Sequence, residues 1–174
     1  EDLWPIIDAH LVELSAEVGI DDPEAALSDA EDVVLYGAGD FARSVLSSWK
    51  GRDAKIRFLV DGDPKKWGGS WLGHKIESPD ALSNLAEETL VVVAAMNTGD
   101  LGLRIRQLGL KCVFAERDGS LGLLPGHLLL RRRDDCERVW DGLSDERSKF
   151  TFLSVIIARM FQEFSFPMRG NVFT

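Results

Sequence analysis

The stretch Val33-Val34-Leu35-Tyr36-Gly37-Ala38-Gly39-Asp40-Phe41-Ala42 decides how this chain reads. Four consecutive apolar, β-favouring residues suit a strand buried on both faces. The run passes directly into Gly37-x-Gly39-x-x-Ala42. Phe41, Val45, Leu46 and Trp49 then recur at helical spacing as far as Gly51. A second apolar run, Ile56 to Val60, ends at Asp61. Strand, glycine turn, helix and strand within about 30 residues make one βαβ unit.

The turn has a physical logic. Gly37 permits the tight passage from strand to helix. Gly39 has no side chain, so a phosphate can approach the backbone. Ala42 is small enough for the helix to lie close to the strand. The first helical turn then presents N–H groups and a positive dipole end to an anion. Asp61 stands where an acid accepts hydrogen bonds from ribose hydroxyls, and Asp63 is a second candidate. An acid there favours a free 2′-OH, so NAD or a nucleotide-sugar is expected rather than NADP. Two other readings stay open. A small-residue turn also packs a helix on a strand with no ligand at all, and Asp40 within it would repel a phosphate placed over it. A site for S-adenosylmethionine in this same turn is the weaker reading, because Tyr36 stands where such sites place an acid.

Working outward, Leu90 to Ala95 is the strongest strand signal in the chain, and Lys111 to Phe114 is a further strand. Helices are expected over 3–18, from Asp22-Pro23, from Ser78-Pro79 and over 100–108, with Asp22 and Ser78 as caps and each Pro in the first turn. The glycine- and tryptophan-rich stretch 61–78 reads as a loop with a small hairpin. Strands alternating with helices predict an α/β fold: a Rossmann-like parallel sheet of about five strands, in the order 3-2-1-4-5, with flanking helices. Helical extensions are expected at both ends. The organisation expected is a helical segment over 1–30, the nucleotide-binding unit over 31–130, and a helical linker over 131–174. In that linker, Val139 and Trp140 form the apolar side of one helix. Phe150, Leu153, Ile156, Ile157, Met160, Phe161 and Phe164 form the broad face of the next.

Composition narrows the partners. The chain has 174 residues, is 45% hydrophobic and 28% charged, and carries a formal net charge of −9. A chain of this size buries roughly 70% of its unfolded surface, so it needs no disulfide or metal to hold a core. The negative balance argues against nucleic acid and anionic membranes as partners. No run is apolar enough to span a bilayer, and no secretory signal opens the sequence, so a cytoplasmic setting is expected. Cys112 and Cys136 form no CxxC pair, and His10, His74 and His127 are isolated, so no metal site is expected.

Other residues keep two readings each. Trp67 and Trp71 either stack on a base or sugar or cover the sheet as part of a hairpin. Asn97 either faces the cleft at the strands' carboxyl ends or makes an Asx-turn. His74 and His127 read as surface or loop residues. Arg131 to Arg133 reads as a solvated edge, with a phosphate or partner contact as the alternative. No Ser/His/Asp set, Cys/His set or carboxylate pair has catalytic spacing, so the catalytic residues are unknown.

Three segments together carry a resemblance: Val33 to Arg43, Phe58 to Gly68 and Gly73 to Leu82. They resemble the Rossmann-like domain that precedes the catalytic domain in FkbM-type methyltransferases, and similar domains stand in sugar O-acyltransferases and nucleotide-sugar modifying enzymes. Trp140 to Phe150, leading to Ile157-Ala158-Arg159, is similar to the linker that follows this domain in the FkbM group. The resemblance covers roughly residues 33–160. It implies a separate downstream domain that binds S-adenosylmethionine and methylates a hydroxyl of a sugar or polyketide. That domain's glycine motif is not found after residue 160, so no methyl-transfer residue carries over. What carries over is a nucleotide-sugar or dinucleotide site at Gly37, Gly39, Ala42 and Asp61, with Asp40 fitting only the looser family pattern. Two rival functions remain. One is a non-catalytic interaction module, a homodimer or interdomain contact through 150–173 built on the phenylalanines at 161, 164, 166 and 173. The other is an NAD-dependent sugar-nucleotide modifying enzyme, which lacks a visible proton donor because Tyr36 is the only tyrosine.

Overall fold

A computed structural model describes residues 4–160 apart from 50, 97, 99 and 125–131. The expectations for Asn97, His127, Arg131 and the phenylalanines at 161, 164, 166 and 173 lie outside the described residues. The fold is α/β. Helices α1 (Trp4–Val18) and α2 (Pro23–Asp29) lead into β1 (Val33–Tyr36), α3 (Asp40–Ser48) and β2 (Ile56–Val60). Strands β3 (Ser70–Trp71), β4 (His74–Glu77) and β5 (Leu90–Val93), helix α4 (Leu101–Gln107), and strands β6 (Lys111–Ala115) and β7 (Leu121–Gly122) follow. Helices α5 (Arg133–Gly142) and α6 (Glu146–Met160) close the described chain.

The sheet has seven strands in the order β3-β4-β2-β1-β5-β6-β7, not the five expected. Its parallel centre, β4-β2-β1-β5-β6, keeps the 3-2-1-4-5 order when those strands alone are numbered along the chain. The additions are the antiparallel edge strands β3 and β7. β3 is the first arm of the expected hairpin, whose second arm joins the sheet as β4. β7 follows an Asp118-Gly119 turn in which Asp118 accepts from the Ser120 N–H at 3.0 Å and Gly119 has φ +81°. That is hairpin chemistry the sequence reading passed over.

β1 and β5 are buried at every position, as two-faced central strands must be. Alternate residues feed separate layers. Val33, Leu35, Leu59, Val92 and Val113 pack with Trp4, Leu27, Val45, Trp49 and Ile156 from the helices of one face. Val34, Tyr36, Val60, Val91, Val93 and Phe114 pack with Leu82, Leu101 and Ile105 on the other. The first and last described helices therefore share a core with the sheet.

Local signals account for most boundaries. Asp22 caps α2 by accepting from Glu24 and Ala25 N–H groups, and Lys55 donates to Leu27 and Ser28 carbonyls at its far end. Gly109, at φ +78°, follows α4.

Two expectations are corrected. Pro79–Asn84 is a 3-10 helix and Ser78 makes no side-chain cap; Asp80, Ser83 and Asn84 are weak formers of an α-helix. The apolar faces of the last helices hold only in part: Ile156 meets the core as expected and Cys136 and Phe152 join it, but Val139 and Phe150 are exposed. Arg133 stays part-exposed while it pairs with Asp8 at 3.1 Å and Glu137 at 3.0 Å and stacks on Trp4 at 4.8 Å.

Candidate functional site

The carboxyl ends of β1, β2 and β5 meet at the glycine turn. Gly37 has φ +126°, and a Cβ there would overlap the Ala94 carbonyl oxygen at the end of β5. Its N–H donates to Val60 O at 2.7 Å. Only glycine satisfies both conditions, so the fold itself demands this residue. Gly39 differs. It is extended (φ −138°, ψ −171°), stands at the N-cap of α3, and no side chain caps the helix there. A Cβ on Gly39 would meet nothing within 4 Å. The space it leaves is open, which is what an approaching ligand requires.

Asp61 is buried and turned into this turn. Its Oδ2 accepts from the Ala38 N–H at 2.8 Å and from Lys66 Nζ at 2.9 Å. Its Oδ1 accepts from the Asp63 N–H at 2.9 Å. Burial works to raise the Asp61 pKa, but the hydrogen bonds from Lys66, Asp63 and Ala38 outweigh it and hold the carboxyl below its ordinary range. The expected bare amide at Ala38 is thus already engaged by the protein's own acid. Lys66 also donates to Ala38 O at 3.1 Å, closing a loop of contacts between the end of β2 and the turn. The sequence reading missed Lys66. The signal for it was a basic residue five positions after the acid, in the 3-10 turn Pro64–Lys66.

The other candidates separate. Ala42 is fully buried in the core and allows α3 to lie close to the sheet. Asp40 points to solvent, with Arg43 3.9 Å away. Asp63 is exposed and accepts from the Lys65 N–H at 3.0 Å, so it caps its own turn. The Trp67 indole donates to Asp61 O at 2.7 Å, and Arg43 stacks on Trp71 at 5.2 Å. Both tryptophans therefore help to hold the hairpin region against the sheet. His74 lies half-buried in β4. Tyr36 closes β1 beside Gly62. Burial raises its pKa, Arg104 opposes that shift and the Asp61 charge adds to it.

A cavity of about 680 Å³ lies at the opposite, amino ends of the strands. Asp22, Asp29, Glu31, Asp32 and Glu88 line it, so its walls repel an anion. Among the described residues no group of His, Cys, Asp or Glu gathers as a metal site, and no helix is long and apolar enough to cross a membrane.

No family model and no curated protein matches the sequence. Solved structures do match. An FkbM methyltransferase from Methylobacillus flagellatus aligns over 87% of this chain and 48% of its own, with TM-score 0.54 and 15% identity. A UDP-D-quinovosamine 4-dehydrogenase from Vibrio fischeri aligns over 53% of this chain and 91% of its own, with TM-score 0.44 and 18% identity. RSP, a Rex-family repressor, aligns over 52% and 47%, with TM-score 0.43 and 10% identity. The chain thus spans about half the length of the methyltransferase it is similar to. At 15% identity the likeness to the methyltransferase establishes the fold alone, a Rossmann-like one.

Proposed function

We propose that this chain is a nucleotide- or sugar-nucleotide-binding Rossmann-like domain, of the kind that precedes the catalytic domain in FkbM-type methyltransferases. Its role is ligand recognition; methyl transfer belongs to a separate domain that binds S-adenosylmethionine. One observation carries this reading. Gly39 is not required by any neighbour, yet it leaves an opening one residue from the amide that Asp61 grips. Packing accounts for Gly37 and Ala42; at 39 glycine suits the N-cap of α3 and, lacking a side chain, also leaves the backbone open to a ligand. In this reading NAD or a nucleotide-sugar would set a phosphate against the uncapped start of α3 and its ribose toward Asp61. Calorimetric titration with NAD, UDP-N-acetylglucosamine and S-adenosylmethionine tests the assignment. Heat of binding is expected with one of the first two. No heat from any ligand, on a folded sample, removes it.

A second reading is favoured by the exposed Val139, Phe150 and Val155 on α5 and α6, which offer an apolar surface to a second copy of the chain. Light scattering over a concentration series distinguishes it, because a strict monomer at high concentration rules it out.

A further inference from the structure

The tip of the β3–β4 hairpin carries a residue its own backbone does not favour. Leu72 and Gly73 are the two turn residues between the paired Trp71 and His74, and both have positive φ, +50° and +84°. A two-residue turn of this kind takes Asn-Gly or Asp-Gly, because a bulky side chain at positive φ is strained. Among the described residues Leu72 alone has positive φ without being glycine. Its side chain is 49% exposed and belongs to neither core layer. Strain of this kind points to a role beyond the local fold. A second large apolar residue, Trp67 at 41%, is exposed at the base of the same hairpin. β3 is the outermost strand of the sheet, and among the described residues no strand pairs with its outer edge. The stretch Asp61 to Glu77 holds three acids and three lysines, so it is neutral within a chain of net charge −9. Two copies of this chain repel over most of their surface and can approach here.

We propose that this edge is an interface between two copies of the chain, related by a two-fold axis with β3 antiparallel to β3. Pairing Ser70 with Trp71 of the other copy sets Leu72 opposite Gly69 of that copy, beside its Trp67 and Gly68, and the two-fold repeats the contact in reverse. Gly68 leaves room there: its φ is +75°, and a Cβ on it would meet nothing within 4 Å. The edge thus presents a protruding leucine and, at the matching place, a gap beside an indole that receives it. β3 has only two residues, so few backbone bonds join the copies and the Leu72 contact carries most of the association. This surface is separate from that of α5 and α6, and it stands whether or not the glycine turn binds a nucleotide.

Analytical ultracentrifugation of the full chain over a concentration series tests it, on wild type, Leu72→Asn and Val155→Asp. The average mass of the wild type should rise toward twice that of one chain, and Val155→Asp should follow it. Leu72→Asn should associate at least about tenfold more weakly. It should also melt about 2–4 °C higher in dilute solution, because asparagine suits the turn. A firmer fold with weaker association is a combination that a purely structural role for Leu72 does not produce. A wild type that stays monomeric at every concentration overturns the proposal. So does unchanged association in Leu72→Asn, with or without its loss in Val155→Asp, and so does a lower melting temperature for Leu72→Asn.

Discussion

Two glycines at turns beside α3 lead opposite lives. Gly119, in the turn between β6 and β7, has φ +81°, and a Cβ there would overlap Ser48 Oγ and come within 2.9 Å of Trp49 Cδ1. Its carbonyl accepts from the Trp49 indole at 2.7 Å. Every feature of that glycine is consumed by the protein's own packing. Gly39, at the other end of the same helix, has an extended backbone that any residue adopts and empty space where a side chain would go. One turn closes on itself and the other is left open. Packing explains the first glycine; the second suits the N-cap of α3 and leaves its backbone accessible.

Substitutions at these positions break or sharpen the contrast. Gly37→Ala belongs with the closed kind and has the largest expected effect, because the Ala94 backbone cannot retreat and φ is +126°. It should cost about 3–5 kcal/mol in urea unfolding, enough to unfold a domain of ordinary stability. Gly119→Ala should cost about 2–3 kcal/mol, less because the Ser48 side chain can swing aside. Asp61→Ala strips the buried Ala38 N–H of its acceptor and should cost about 1–3 kcal/mol. Asp61 also gives that region a pH signature. Its folded pKa lies below the ordinary value, so its contribution is complete above pH about 4 and is lost as pH falls through the lower, folded pKa. The stability gap between wild type and Asp61→Ala should therefore be full at neutral pH and close in acid; a gap that widens as pH falls contradicts the assignment. Gly39→Ala has the smallest expected effect, about 0.5–1 kcal/mol from a poorer N-cap, and a loss well above that would show that this turn, too, is closed by packing.

The fold was legible in the sequence where single residues carry unambiguous chemistry. Val33 to Tyr36 admits only a strand buried on both faces, and Asp22-Pro23 announces a capped helix start. The edge strands were less legible because each has only two residues, too few to show a period. The faces of α5 and α6 were legible only in part: Ile156 stands on the expected face, but apolar residues surround α6 on several sides, and only the contacts with the core single out Phe152. At the glycine turn, spacing alone singles out Gly37, Gly39 and Asp61. What spacing could not reveal is that Asp61 turns inward onto Ala38, or that Lys66 reaches back across the turn to join it. Both depend on where a flexible side chain comes to rest, and the intervening 3-10 turn decides that.

The open space at Gly39 is tested most directly by filling it. Calorimetric titration with NAD and UDP-N-acetylglucosamine, on wild type and on Gly39→Val, separates fold from function because the extended backbone accepts valine without strain. The account predicts that the wild type binds one of these ligands and that Gly39→Val, folded and melting within a few degrees of it because only the N-cap is weakened, binds at least about tenfold more weakly. Equal affinity in the two proteins, or no binding by either, would contradict it.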